Sequence, residues 1–410
     1  MTPTATNDRI HALDAVRASA LLLGIAMHAT MPYVRDLPHW AFREPPNETL
    51  ATVLYVIHMF NMSVFFLIAG FFGRVVLERK GITFFVKDRA TRILLPLVLG
   101  FPVVFMTVVL AYVLGGLASG LSMQQLLEGM QRGIRGPSEG AASGGGIQLA
   151  HLWFLYYLAM FYAGTLALRA LLGRFAASAD AVVRFVMKGF WAPVLLAAPM
   201  AAYFYQHETW ASWNGLPSQA LGSIVPSLDG FVGYGIVFGF GWLLHRQSHL
   251  LFALVKSWPF YLGAALVLLI VCRAIAGPPV WEPYLQGPVL LFYTVAYMTA
   301  TWCGAFGLIG AALRFLPEPS PVRRYLADSS YWLYLMHLSM IVFFTMLFRQ
   351  LDWHWSAKYL LTIAGTIGFL LLTYHYLVRF TWIGAILNGR RHARVSAVAA
   401  EAAAAAALRP

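Results

Sequence analysis

The chain has 410 residues, of which 60% are hydrophobic and only 11% charged. Soluble domains carry roughly 25% charged residues, so too few polar side chains remain to cover a water-facing surface, which excludes an ordinary soluble fold. The net charge of +12 is held in short clusters between apolar runs rather than on one amphipathic face, a pattern that argues against nucleic acid as a partner and for the positive-inside topology of membrane proteins.

A helix needs about twenty apolar residues to cross the hydrocarbon core. That length predicts an all-α, polytopic membrane helical bundle with spans near 13–34, 50–77, 93–115, 150–172, 189–206, 226–245, 258–276, 286–314, 329–349 and 358–383, about ten transmembrane helices in all. The polar stretch 1–11 precedes a span that carries Arg17 and is too long for a signal-peptide core, so it is expected to stay as a helix. Lys and Arg concentrate in alternate loops, as in Arg79, Lys80, Lys87, Arg89 and Arg92, then Arg174, Arg184 and Lys188, then Arg323 and Arg324. This bias places the N- and C-termini in the cytoplasm. Residues 1–388 are read as the membrane domain and 389–410 as a cytoplasmic, low-complexity tail rich in alanine. Two long segments fall outside the membrane: 35–49, rich in proline and aromatics, and 116–149, which ends in the glycine-rich run 140–146. Cys272 and Cys303 lie inside apolar runs and read as packed thiols.

In the first span Arg17 and His28 are eleven residues apart, which returns them to within about 20° of one face and separates them by about 16 Å along the axis. Arg17 sits toward the cytoplasmic end, where Asp14 is one turn away and can make it an ion-paired anchor. The alternative is a catalytic arginine, since an arginine within a span costs on the order of 2.5–3.5 kcal/mol on insertion scales. His28 is either a packing histidine or a general base, because neutral imidazole exchanges a proton near neutral pH. In the second span His58 and Asn61 share a face, where interhelical hydrogen bonding is the simpler reading. Depth from the outer side is about 12 Å for His58 and about 9 Å for His28. His151, Trp153 and Tyr157 open the fourth span, at a level where aromatic belts also occur. Together these side chains describe an outward-facing vestibule that could contact substrate, with no metal-ligand spacing.

On the cytoplasmic side Lys87, Arg89 and Arg92 stand at a helix start, where cations and free backbone N–H groups can hold phosphate; plain topology signalling is the alternative. His337 lies in the cytoplasmic half of the ninth span and is expected to face the cavity from below or to pack.

The segments Arg17 to His28, Ile57 to Gly70, Arg89-Ala-Thr-Arg92 before Pro96, His151-Leu-Trp-Phe154 and Tyr331 to His337, in this order over residues 9–380, resemble the acyltransferase family 3 of integral-membrane acyltransferases. The resemblance implies an acyl-CoA-dependent O-acyltransferase of the bacterial inner membrane. In the subgroup it most resembles, a succinyl group from succinyl-CoA goes to a periplasmic glucan. On that reading His28 and Arg17 are catalytic. Arg89, Arg92, Lys87 and His337 bind the donor, and His58, Asn61, His151, Trp153 and Tyr157 meet the acceptor. Glu48 and Asp229 are the candidate acidic partners of His28. The partners implied are acyl-CoA, a periplasmic glucan or other glycan, membrane lipids and a second copy in a homodimer, with no permanently bound cofactor and no metal. O-acetylation of another envelope glycan, and a proton-coupled transporter using the same intramembrane histidine and arginine, are the competing expectations. No inverted repeat is visible to favour the transporter.

Overall fold

A computed structural model describes residues 11–37, 43–135, 149–207, 210–217, 225–389 and 392; among these residues there is no β-strand. The glycine-rich run 140–146, and the tail apart from Gly389 and His392, lie outside the described residues. The helices run α1 (His11–Thr30), α2 (Glu48–Arg89), α3 (Leu95–Ala118), α4 (Met123–Arg135), α5 (Trp153–Ala167), α6 (Arg169–Arg174) and α7 (Ala176–Met187). They continue with α8 (Ala192–Tyr205), α9 (Leu228–Leu244), α10 (Leu254–Ala276), α11 (Gly287–Phe315), α12 (Pro321–Phe348), α13 (Trp355–Thr373) and α14 (Trp382–Asn388).

Six helical stretches are long and apolar enough to cross a membrane, and a seventh arises if α7 and α8, bent by 115°, count as one span. Two of the six, Glu48–Ala118 with 71 residues and Leu228–Ala276 with 49, far exceed the roughly 20 residues of one crossing. Each is broken by a residue outside helical geometry, Gly81 with φ +75° in the first and Gln247 with φ −130° in the second. Glycine tolerates the left-handed region without a Cβ clash, which suits Gly81 to the turn. The segment after α3, expected as a long outer segment, contains α4, whose Leu126 is buried. The Leu126 carbonyl accepts from the Tyr112 hydroxyl at 3.2 Å. Amphipathic spacing, not length, makes this helix, so a search for twenty apolar residues passes over it.

Local caps fix several helix starts. Asn47 Oδ1 accepts from the Leu50 N–H at 3.0 Å ahead of α2, and Ser320 Oγ accepts from the Arg323 N–H at 3.4 Å with Pro321 at the first helical position of α12. α11 is mostly buried and packs against α10, α8, α2 and α1. Thr301 on it donates to the Met59 carbonyl of α2 at 3.0 Å. α2 and α9 cross at glycines: a methyl group at Gly70 would meet the Phe238 carbonyl, and one at Gly241 the Leu67 carbonyl, at less than contact distance. Small residues at a crossing let two backbones touch where lipid supplies no hydrophobic drive. Exposed Val98, Leu99 and Met106 of α3 and Leu266, Val267 and Ile270 of α10 form an apolar outer surface suited to lipid. Arg273, within α10, meets Glu48 at 3.3 Å and Thr52 at 3.2 Å, and its guanidinium lies 5.0 Å from the Trp213 ring centre. These contacts are how a cation sits inside an apolar helix.

Candidate active site

α1 is flanked by α2, α12 and α13, and its inner stripe carries both halves of the site. Toward its C-terminal end His28 is partly buried, with Nδ1 2.8 Å from the Gly24 carbonyl oxygen and 3.3 Å from Nε2 of His337 on α12. The two rings are 4.9 Å apart between centres. His151, just ahead of α5, completes a triangle, 4.7 Å from the His337 ring and 6.5 Å from the His28 ring. α12 fixes this arrangement through its own carbonyls. His337 Nδ1 lies 2.7 Å from Tyr334 O and 3.2 Å from Leu333 O, and His151 Nε2 lies 3.2 Å from Leu335 O. The Tyr334 hydroxyl donates to the His151 carbonyl at 2.7 Å. Tyr331, Tyr334 and His337 recur every three residues and so share a face of α12.

Asn61 of α2 is 1% exposed, and both its amide atoms lack a hydrogen-bond partner among the described residues. A methyl group added at Gly24 would stand 3.5 Å from Asn61 Nδ2, so this amide faces α1 one turn below His28. Buried polar atoms are rarely left unpaired, and one that is points to function or strain. Replacing Asn61 by leucine is expected to leave the thermal midpoint unchanged or higher, because an apolar group no longer needs a partner, while turnover falls about tenfold through loss of one hydrogen bond. Paired melting and turnover measurements check this, and a fall in stability without a fall in rate makes Asn61 structural. His58 lies one turn earlier on α2, and Gly215, with φ +54°, approaches its ring from the loop after α8: a methyl there would stand 2.9 Å from His58 Nδ1.

At the other end of the stripe, Arg17 Nη2 is 3.5 Å from Asp14 Oδ1, while its Nε is buried without a partner among the described residues. Arg89 Nη2 is 3.2 Å from Asp88 Oδ2, and its guanidinium lies over Tyr162 and Phe85 at 4.8 and 5.3 Å from the ring centres. Arg92 sits in a π-helical turn, Ala90–Leu94, a distortion frequent at functional positions. Its Nη1 is 3.7 Å from Asp88 Oδ1 and its Nη2 donates to Leu387 O at 3.4 Å, while its own carbonyl accepts from the Tyr331 hydroxyl. Tyr331 therefore connects the arginine cluster to the helix that carries His337. A cavity of about 290 Å³ adjoins Asp14 and is also lined by His11, Ser320, Arg323 and Arg324. A second, of about 470 Å³, lies among Arg74, Arg169, Arg246 and Trp242.

The structure brings His28, His151 and His337 together and sets Asn61 beneath them. His337, expected below with the donor-binding cations, stands beside His28 instead. Lys87 is exposed, with its carbonyl accepting from the Thr91 hydroxyl at 2.6 Å. Trp153 packs on Phe66, Tyr157 and Tyr234, and the buried Tyr157 donates to Ser227 O at 3.0 Å, contacts that hold both side chains among α2, α5 and α9. Neither suggested acid reaches His28: Glu48 engages Arg273, and Asp229 Oδ1 accepts from the Tyr203 hydroxyl at 2.9 Å and lies 3.6 Å from His207 Nε2. Tyr331, Tyr334 and Asp88 were not read from the sequence; the i, i+3 spacing of the two tyrosines with His337 was the available signal.

The chain resembles "Glucans biosynthesis protein C" of Escherichia coli O1:K1 / APEC and of Escherichia coli O157:H7 (strain EC4115 / EHEC), with 29% identity over 154 residues in each case. That stretch is 37% of this chain and 36% of the length of those relatives. No solved structure matches. The family model described as an acyltransferase domain matches residues 10–375, nearly the whole bundle and both ends of the α1 stripe. The chain therefore belongs to the acyltransferase family 3, and the apolar helices it folds into make it a membrane acyltransferase.

Proposed function

We propose that the protein is an inner-membrane O-acyltransferase with about ten crossings and both ends in the cytoplasm. It takes an acyl group, succinyl first among the candidates, from cytoplasmic acyl-CoA and delivers it to a hydroxyl of a periplasmic glucan. One observation carries this reading: α1 holds Arg17 toward one end and His28 toward the other, about 16 Å apart along its axis, with the rings of His337 and His151 gathered around His28. That distance suits a donor whose anionic head stays at the cytoplasmic mouth while an extended arm carries the thioester inward.

Arg17, Arg89 and Arg92 offer guanidinium donors to the phosphates of the donor. Arg17 and Arg92 are the more available, their side chains 40% and 35% exposed against 19% for Arg89. Replacing Arg92 by glutamine is expected to raise KM for acyl-CoA about tenfold with kcat little changed, the loss of one charge-assisted hydrogen bond made in ground and transition states alike. An unchanged KM removes Arg92 from the donor site. His28 accepts the proton of the attacking hydroxyl, and Asn61 is placed to donate to the oxyanion as it forms.

The test is transfer of labelled acyl groups in vesicles of purified protein, with acyl-CoA on one side and glucan on the other. Label on the glucan only when donor and acceptor occupy opposite sides supports the reading, and donor hydrolysis without transfer refutes the acceptor. The likeness to the glucan protein covers little over a third of either chain, and acetylation of a different envelope glycan is the alternative reading. Mass spectrometry of glycans from a deletion strain separates the two by which polymer loses its acyl groups.

A further inference from the structure

The imidazole triangle has no carboxylate bonded to it among the described residues, yet a histidine base ordinarily needs a partner that fixes its tautomer and shares the charge it gains. The hydrogen-bond directions identify one. A carbonyl oxygen only accepts, so His337 Nδ1, 2.7 Å from Tyr334 O and 3.2 Å from Leu333 O, must carry its proton. Neutral imidazole has one N–H, which leaves a lone pair on His337 Nε2. That nitrogen is 3.3 Å from His28 Nδ1, which in turn is 2.8 Å from Gly24 O. His28 Nδ1 therefore carries the proton, shared between Gly24 O and His337 Nε2, and His28 Nε2 is left bare.

We infer that His337 is the positioning residue for the base: it holds His28 in the tautomer whose Nε2 is free and receives the His28 Nδ1 proton as the reaction proceeds. The inference rests on His28 being the base of the proposed acyl transfer. In the step, the acceptor O–H bond breaks and its proton goes to His28 Nε2, while the oxygen forms the ester bond and the thioester C–S bond breaks. The His28 Nδ1 proton moves to His337 Nε2, giving an imidazolium whose Nδ1–H already faces two carbonyl oxygens. The thiolate then takes the proton from His28 Nε2 and the Nδ1 proton returns, so both rings end neutral, the acceptor is acylated and the donor leaves as a thiol. His151, with Nε2–H committed to Leu335 O and Nδ1 buried without a partner among the described residues, puts a third neutral ring against His337 and no opposing charge.

The experiment uses the full chain in vesicles, with acyl-CoA and a glucan as probes, and compares His28→Gln with His337→Gln. In His337→Gln, kcat is expected to fall about 10²-fold with KM for acyl-CoA unchanged. The wild-type rate is expected to curve against deuterium fraction, as two protons in flight require, and to become linear in the variant. An active His28→Gln variant removes the base itself, whereas an inactive one beside a His337→Gln variant within about threefold of wild type overturns only the His337 assignment. A curved dependence persisting in His337→Gln also overturns it. Nitrogen-15 spectra of the wild-type histidines, which need no variant to fold, should show His337 protonated on Nδ1; protonation on Nε2 instead refutes the inference.

Discussion

Replacing His28 by glutamine lowers kcat for acyl transfer by about 10²–10⁴-fold, the range a positioned general base contributes. Glutamine keeps the bulk of the side chain and an amide able to donate to Gly24 O, so the packing of α1 against α12 should survive while the proton acceptor is lost. The thermal midpoint is expected to move little, and KM for the donor to stay near wild type, because the cations proposed to hold the donor lie away from His28. Steady-state rates with varied acyl-CoA, read beside melting curves, provide the check. Turnover near the wild-type rate would falsify the base assignment.

Replacing Lys358 by methionine destabilises the protein by about 3–5 kcal/mol, because removing one partner of a buried ion pair strands the other. Lys358 Nζ is 3.0 Å from Glu44 Oε2, with only 10% and 5% of the two side chains exposed, and also donates to Arg349 O at 3.3 Å. The pair ties the segment after α1, where the Glu44 N–H also donates to Pro32 O at 2.9 Å, to the start of α13. Replacing both residues, Glu44 by glutamine and Lys358 by methionine, should recover most of the loss, since no uncompensated charge remains. Unfolding in detergent measures all three variants. A Lys358 variant as stable as wild type shows that Glu44 finds water or another cation, and a double variant no better than the single shows that packing, not charge, was lost.

His337 shows where reading by depth fails. Counted from a span beginning at residue 329, it falls in the cytoplasmic half. The capped start at Ser320 and Pro321 lengthens α12 by two turns, so His337 stands about 24 Å along the helix from its first residue. An apolar-window reading passes over that start because the first turns carry Arg323, Arg324 and Asp328. Trp153 and Tyr157 show a different ambiguity: aromatic rings suit substrate contact and packing alike, and only the tertiary structure names their neighbours on α2 and α9. The acid partner of His28 was sought among carboxylates near in sequence or level, whereas the contact found is an imidazole 309 residues away.

The membrane class, the all-helical content and the alignment of Arg17 with His28 were determined by the sequence alone, because composition selects the solvent and the 3.6-residue repeat is local geometry. The arginine cluster was legible for the same reason, its spacing lying within a few turns of one helix. Which ring faces His28, which buried amide lacks a partner, and which neighbours the aromatics pack on were decided by tertiary structure. Those contacts join α1, α2, α5 and α12, and no local periodicity encodes how far one helix is displaced along another.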